Sequence, residues 1–361
     1  MRRAAVLVAV SVVFSGCLVG PNYTRPPVET PAGFREAAPG ESVANLPWWD
    51  LYEDPALREL IPVALSQNLD LRIAAARIEQ ARALAGFVRA DQFPTVDGVF
   101  SGSKAKSSEQ FPPFTGNQVS DWVLAGQASF EVDLWGKLRR ATESARADLL
   151  ATEEARRAVT INLVSDVATL YFRLLAFDAQ RDVAARTLTS REQSLRLVRN
   201  RYEGGVVPEL DVYQAQIQLE NVAANVPSFE RAVAQTENAL SVLLARPPGT
   251  IARASALDAK AMPPEVPAGL PAELLTRRPD LLQAEAQLHA VTAQVGVAEA
   301  QRWPRLALTG AFGVESSDLA DIFAGGSTIW SAGGGLVAPL FNAGKNKRRV
   351  PASAPGNTTR R

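Results

Sequence analysis

The sequence has few of the residues on which chemistry at a protein site usually depends. Among 361 residues there are one cysteine, one histidine and two methionines, and 38 basic side chains balance 38 acidic ones. This balance gives no electrostatic case for a nucleic-acid partner. The glycines at 325–326 and 333–335 lack the Lys-Ser/Thr of a phosphate loop, and no cluster has metal-ligand spacing. We interpret the one histidine, His289, as a solvated helix residue, so the sequence predicts no catalytic residue, no metal, no cofactor and no enzyme.

Long hydrophobic runs are also missing, apart from the one that begins the chain. Residues 4–14 are apolar but too few to span a bilayer as a stable helix, and Ser-Gly-Cys17 follows them. This pattern predicts a lipoprotein signal peptide over residues 1–16 and lipid attachment at Cys17, with a stray cysteine as the alternative. Leu18 stands where an aspartate would indicate retention in the inner membrane, which favours the outer membrane. No later segment has about 18 consecutive apolar residues, so any later crossing must be made by strands.

The chain repeats itself. A helical run over residues 70–94, from an Asp-Leu pair to a proline, is matched by a run over residues 280–304, and the interval from aspartate to proline is 24 positions in both. Gly136 and Gly344 follow at equivalent places. A long helical stretch continues behind Gly136, whereas 17 residues remain after Gly344. We therefore expect two copies of one unit, with the second copy incomplete.

The repeat defines the expected domains. They are a signal peptide (1–16), an N-terminal lipid-anchored segment (17–54), a first repeat (55–246), a linker (247–272), an incomplete second repeat (273–344) and an atypical tail (345–361). The first repeat is predicted to hold a helix, a β-hairpin (94–133) and a long helical hairpin (137–245), and the second a helix and a β-hairpin (304–340).

The hairpins have alternating sequences. Between residues 121 and 133 the even positions are mostly apolar and the odd ones mostly polar, and residues 305–315 repeat this pattern. A soluble sandwich would also alternate, but the sequence offers only four strands, separated by very long helices. A sheet that faces lipid cannot keep an open edge, and four strands are too few to close a barrel. We therefore expect a barrel shared among subunits.

The helix after Gly136 is predicted to be the longest element. Its apolar positions follow steps of four and three from Leu163 to Tyr202, the period of a left-handed coiled coil. At about 1.5 Å per residue, a helix over residues 139–203 would be about 100 Å long. A second ladder runs over residues 212–243, with a bend expected at Pro227, because proline lacks the donor for one helical hydrogen bond.

A series of short motifs in a fixed order makes the sequence similar to a known family. The motifs are Gly20-Pro21-Asn22-Tyr23, Trp48-Trp49, Asp54-Pro55, Asn68-Leu69-Asp70-Leu71, Asp133-Leu134-Trp135-Gly136, Arg201-Tyr202-Glu203-Gly204-Gly205, Leu210-Asp211-Val212-Tyr213-Gln214-Ala215, Arg277-Arg278-Pro279-Asp280 and Pro339-Leu340-Phe341. From residue 17 to about 345 the chain resembles the outer-membrane factors of tripartite efflux pumps, in the lipoprotein branch of the TolC superfamily.

The resemblance implies a fold and a function. The fold is mainly α-helical with a small transmembrane β part: a TolC-like duplicated unit whose four strands contribute to a 12-stranded barrel shared by a homotrimer. The function is that of an efflux channel in the outer membrane, a passive exit duct for drugs or other toxic compounds. Its partners would be outer-membrane lipid, a periplasmic adaptor protein and an inner-membrane pump of the RND type.

In the family, the turn between the two long helices forms the periplasmic aperture and contacts the adaptor. The resemblance places this role on Tyr202, Glu203, Gly204, Gly205, Glu209 and Asp211. The acids could ring the aperture and favour cations. Alternatively, Glu209 and Asp211 only charge the first turn of a helix, where acids contribute about 0.3 to 1 kcal/mol.

The end of the sequence gives a reason to doubt a working channel. By the length of the first copy, about 92 residues of the second copy are missing, and residues 345–361 look like neither copy one nor the family. We expect a frameshifted or truncated product with weak trimers or none, in preference to a basic tail that binds anionic lipid. A lipid-anchored periplasmic coiled-coil scaffold is a further alternative, but it leaves the four alternating segments unexplained.

Overall fold

The computed structural model describes residues 18–31, 54–106, 118–257 and 271–353. The elements are α1 (Pro55–Gln67), α2 (Leu69–Ala90), β1 (Thr95–Lys106), β2 (Gln118–Val132), α3 (Lys137–Glu203), α4 (Glu209–Ala223), α5 (Asn225–Leu243), α6 (Pro271–Arg277), α7 (Pro279–Ala300), β3 (Arg305–Ser316), a short 3-10 turn (Leu319–Asp321), β4 (Thr328–Val337) and α8 (Lys345–Ser353). The fold is mainly helical with one small sheet, as the sequence predicts.

The helix predicted at the start of the first repeat is two helices, α1 and α2, because Asn68 interrupts it. The Asn68 side chain accepts hydrogen bonds from the backbone N–H groups of Asp70 and Leu71, at 2.9 and 3.1 Å, and so caps α2. Its amide nitrogen donates to the Leu243 carbonyl oxygen at 2.9 Å. A buried asparagine therefore ends one helix, begins the next and ties both to the end of α5.

The long helix of the prediction is present as α3, which has 67 residues. The helix that returns from it is interrupted at Ala224, three residues before the expected bend at Pro227. Proline has no N–H to donate to the preceding turn, so it is best tolerated in the first turn of a helix. The chain places Pro227 there by starting a new helix, α5, at Asn225.

The four strands form one antiparallel sheet in the order β1-β2-β3-β4. Residues paired directly across two strands lie on the same face, so the pairs Phe130–Leu308 and Phe312–Trp330 belong to one apolar face. Phe312 is 68% exposed and Trp330 is 76% exposed. Within the described residues, β1 and β4 have no partner on their outer edges. The sheet thus has an exposed apolar face and two open edges.

The chain divides into two compact units. Of the described residues, one unit comprises 18–27, 78–106, 118–153 and 283–353, and the other 28–31, 54–77, 154–257 and 271–282. The second unit has a core formed by α1, α3 and α5, and its fully buried side chains include Leu57, Ile61, Val167, Leu174 and Leu240. The first unit contains the sheet and has small buried residues on α3 and α7, among them Ala147, Ala290 and Ala293.

Part of α3 is apolar enough to be mistaken for a membrane-spanning helix. Among the described residues, only this helix meets the length and composition of a membrane span, and 39% of the stretch concerned is buried. The buried ladder residues Leu163, Val167 and Leu174 lie in the core of the second unit. Packing in this core therefore uses part of the apolar surface of the stretch.

We predict that Asn68→Ala lowers the free energy of unfolding by about 2 kcal/mol, because it removes a helix cap and leaves the Leu243 carbonyl without its donor. Thermal unfolding followed by circular dichroism measures this change. Ser66→Ala is the matched control, since the Ser66 hydroxyl donates to the Val63 carbonyl oxygen at the surface and its loss should cost less than about 0.5 kcal/mol. Equal midpoints for the two variants would contradict the role given to Asn68.

Candidate functional site

The turn between α3 and α4 has a well-defined backbone geometry. The Val206 N–H donates to the Arg201 carbonyl oxygen and the Gly205 N–H to that of Tyr202, each at 2.8 Å. This pair of bonds is a Schellman motif, which requires a left-handed residue just after the helix. Gly205 supplies it with φ at 70°. Gly205 is therefore needed to stop α3 sharply after 67 residues.

The side chains of this turn face solvent. Val206 and Leu210 are exposed, and so are Tyr202 and Glu203. Glu209 accepts a hydrogen bond from the Tyr213 hydroxyl at 2.9 Å, one helical turn later. This bond is the main reason why the pKa of Tyr213 is raised above its usual value. The turn thus presents exposed apolar and acidic groups together.

The residues expected at the aperture all lie in or beside the turn between α3 and α4. Tyr202 and Glu203 end α3, Gly204 and Gly205 form the turn, and Glu209 and Asp211 lie in the first turn of α4. The position of the two acids in α4 is also what a purely helix-stabilising role requires. The other expected site residue, Cys17, lies outside the described residues.

A polar network that the sequence analysis missed surrounds Arg140 in the first unit. Arg140 is 1% exposed, and its guanidinium donates to the carbonyl oxygens of Val19 and Gly20 and to the Asn22 side chain, at 3.3, 3.4 and 2.7 Å. It also donates to Glu143 at 2.8 Å. The network fixes the N-terminal segment on α3. The motif Gly20 to Tyr23 was the only signal of this network in the sequence, and it does not indicate Arg140, which is more than 100 positions away.

His289 belongs to the same network, which corrects its interpretation as a solvated helix residue. Its Nε2 lies 2.9 Å from a Glu143 carboxylate oxygen, and its ring stacks on Tyr23 with centroids 4.7 Å apart. Burial alone would raise the pKa of Glu143, but hydrogen bonds from His289 and Arg140 outweigh it, so this pKa is lowered. These contacts hold the N-terminal segment, α3 and α7 together.

A pocket of about 350 Å³ lies where the sheet meets the helices of the first unit. We call it the tryptophan pocket, because Trp135 and Trp303 stack there with ring centroids 4.9 Å apart. Its wall comprises Glu131, Val132, Asp133, Leu134, Trp135, Lys137, Ala300, Gln301, Trp303, Pro304, Arg305, Val337 and Pro339. Its size and its mixture of apolar and charged groups suit a small amphiphilic molecule.

Comparison with known proteins identifies the family. A family model described as outer membrane efflux protein matches residues 60–246 and 270–354. The chain belongs to the outer membrane efflux protein family. The match extends past residue 345, where the sequence alone suggested that the resemblance ends. Like α3 behind Gly136, α8 follows a glycine, Gly344, and both glycines have φ of 77°. Residues 345–353 therefore occupy the place in the second repeat that the start of α3 occupies in the first, and the family match includes them, which corrects the view that they look like neither copy one nor the family.

Several members of the outer membrane efflux protein family are similar over most of the chain. The solvent efflux pump outer membrane protein SrpC of Pseudomonas putida is 38% identical, with 92% of this chain and 73% of that protein covered. The cation efflux system protein CusC of Escherichia coli is 33% identical, with 94% and 74% covered.

Solved structures of outer-membrane channels have the same fold. The OprN channel matches with a TM-score of 0.83 and 31% identity, and 93% of this chain and 76% of that one are covered. The open state of the MtrE channel of Neisseria gonorrhoeae matches with a TM-score of 0.82 and 30% identity, with the same coverage. The duplicated TolC-like fold expected from the sequence is thereby confirmed.

We predict that Gly205→Ala destabilises the turn by about 1 kcal/mol, since a residue with a Cβ is strained in the left-handed region. The added methyl group would meet nothing within 4 Å, so the strain comes from the backbone alone. Gly204→Ala is the matched control, because Gly204 does not have a left-handed φ and its methyl group would make ordinary contacts. Hydrogen exchange at Val206 should accelerate about fivefold in Gly205→Ala only; equal exchange in both variants would refute the assignment.

Proposed function

We propose that this chain is the outer-membrane channel subunit of a tripartite efflux system and serves as a passive exit duct for small molecules. The observation that carries the proposal is the sheet, which has an exposed apolar face, a more polar opposite face and two open edges. A large exposed apolar face is unfavourable in water, whereas it is typical of a sheet that faces lipid. Membership of the outer membrane efflux protein family supports the same function.

Three copies of the chain would form the barrel. In hydrocarbon an unpaired backbone group costs several kcal/mol, so the outer edges of β1 and β4 need partner strands. Pairing β4 of one copy with β1 of the next leaves no edge when the ring closes, and three copies of the four-stranded sheet give the 12 strands that the family resemblance implies. The homotrimer thus removes the edges that a single chain cannot remove.

The turn at residues 202–211 is proposed to contact a periplasmic adaptor protein, which would connect the channel to an inner-membrane pump of the RND type. The support is its exposed mixture of apolar and acidic side chains, which include Val206, Leu210 and Glu209. Glycine-enforced geometry makes the turn a rigid contact site, which lowers the entropic cost of binding.

Lipid attachment at Cys17 would anchor the chain in the outer membrane. Its support is the position of the next described residues, because the Val19 N–H donates to the Trp135 carbonyl oxygen at 3.2 Å. Trp135 lies three residues after the end of β2. The N-terminal segment is therefore held at the end of the strands, the level at which a membrane surface is expected and where tryptophan is favoured.

No residue of this chain identifies the molecules that the channel would transport. Relatives are named for the efflux of solvents, toluene, antibiotics and cations, and each name belongs to that protein. The scarcity of methionine and histidine is weak evidence against a route dedicated to copper or silver. We propose small molecules in general as the cargo, selected by the pump.

Cysteine labelling tests whether the sheet lies in a membrane. In cells, Thr309→Cys on the more polar face should react with a water-soluble maleimide, and Phe312→Cys on the apolar face should react at least tenfold more slowly, because lipid excludes the charged reagent. Both residues are exposed in the isolated chain, which makes them a matched pair. Equal labelling of both cysteines would refute the channel and favour the periplasmic scaffold.

The acids of the turn are tested by ion selectivity. If Glu209 and Asp211 line the aperture, the double variant Glu209→Gln/Asp211→Asn should lower the cation-to-anion permeability ratio at least twofold, as measured by reversal potentials in planar bilayers. Glu220→Gln, an exposed acid further along α4, is the control and should leave the ratio unchanged. An unchanged ratio in the double variant, together with a less stable α4, would show that the acids only stabilise the helix.

A further inference from the structure

We propose that the tryptophan pocket binds amphiphilic anions, that is, small molecules with an aromatic or apolar body and one negative head group, as they pass through the channel. The choice of a solute in transit as the ligand rests on the proposed function. Three observations support the proposal. The pocket has an exposed aromatic wall, one of its cations, Arg305, has no ionic partner among the described residues, and its charged residues lie on the face of the sheet opposite the apolar one.

The aromatic wall is held in place and remains accessible. The indole N–H of Trp135 donates to the Pro304 carbonyl oxygen at 2.7 Å, which fixes this ring and satisfies its only donor. Trp303 stacks on it and is still 49% exposed. An aromatic or aliphatic body can therefore cover apolar ring surface without displacing a hydrogen bond.

The charges of the wall leave one cation available. Lys137 pairs with Glu131 at 2.5 Å, and Asp133 accepts hydrogen bonds from the backbone N–H groups at the start of α3 and pairs with Arg139. Arg305 is exposed, and among the described residues it forms no ion pair, since the wall acids Glu131 and Asp133 pair with other cations. The charge that complements this wall is therefore an anion beside Arg305, which can bind a carboxylate, sulfonate or phosphate with two hydrogen bonds.

The register of the sheet indicates where such a ligand comes from. Arg305 and Glu131 occupy positions that alternate with Leu306 and Phe130, so they belong to the face opposite the apolar one. In the proposed barrel the apolar face meets lipid, and the opposite face lines the water-filled interior. A solute in the channel can reach this side of the pocket, whereas a phospholipid in the surrounding leaflet cannot.

A pair of fluorescent dyes tests the proposal. 8-Anilinonaphthalene-1-sulfonate carries a sulfonate, and N-phenyl-1-naphthylamine has the same aromatic body without it. Both are titrated into the full chain in a non-ionic amphipol. Arg305→Gln should weaken binding of the sulfonate about tenfold, the loss of one charge-assisted contact, and should leave the neutral dye unchanged.

Arg302→Gln is the matched control, since Arg302 is an exposed arginine three residues earlier that is not part of the pocket wall. It should bind both dyes as the unsubstituted chain does. Equal sulfonate binding by all three proteins, or equal losses in both variants, would overturn the proposal. Trp303→Leu supplies a second test, because it should weaken both dyes; unchanged binding of both would exclude the aromatic wall.

Competition distinguishes the source of the ligand. Naphthalene-2-sulfonate represents a solute and should displace the bound dye, whereas dihexanoylphosphatidylglycerol represents a leaflet lipid. Displacement by the phospholipid alone would overturn the assignment to a solute. The labelling of Thr309→Cys and Phe312→Cys does not involve the pocket, so a failed dye test with the expected labelling pattern refutes the pocket and leaves the channel intact.

Discussion

Backbone groups at the edges of the sheet are the constraint on which the rest of this structure depends. The hydrogen bonds between β2 and β3 join the first repeat to the second, so that each chain contributes one continuous four-stranded sheet. The same groups on the outer edges of β1 and β4 have no partner among the described residues. In water this would cost little, but beside an exposed apolar face it requires further strands. In the proposed channel, oligomerisation, barrel closure and membrane location thus all answer this one requirement.

The duplicated joint between sheet and helix explains how one chain serves both environments. Gly136 and Gly344 each adopt a left-handed φ of 77° after a strand, and each is followed by a helix that begins with a lysine. Asp133 caps the first of these helices by accepting hydrogen bonds from the N–H groups of Leu138 and Arg139. At each glycine the apolar pattern of the sequence therefore changes from the strand period of two to the helix period of 3.5. This keeps the apolar face of the sheet separate from the apolar ladder of the helices.

Much of the fold could be predicted because its signals are periodic and local. The alternation of the strands and the ladder of α3 repeat over ten residues or more, and the observed sheet places the expected apolar residues on one face. Asn68 stands in one of the motifs, but its hydrogen bond to the Leu243 carbonyl, 175 residues away, has no local signal in the sequence. The contacts of His289 were missed for the same reason, since Tyr23 and Glu143 are distant in sequence. The turn residues were found from a motif, but their roles depend on partner molecules.

The buried arginine shows what holds the N-terminal segment in place. Burying a guanidinium costs several kcal/mol unless its donors are satisfied, and Arg140 meets this condition only when Val19, Gly20 and Asn22 lie against it. Gly20 in turn approaches Gly296 so closely that a Cβ added to Gly20 would lie 2.4 Å from the Cα atom of Gly296. The segment, α3 and α7 are therefore mutually dependent: without the segment the charge is unsatisfied, and without the two glycines the segment does not fit. Docking of the N-terminal segment is thus part of the fold of the first unit.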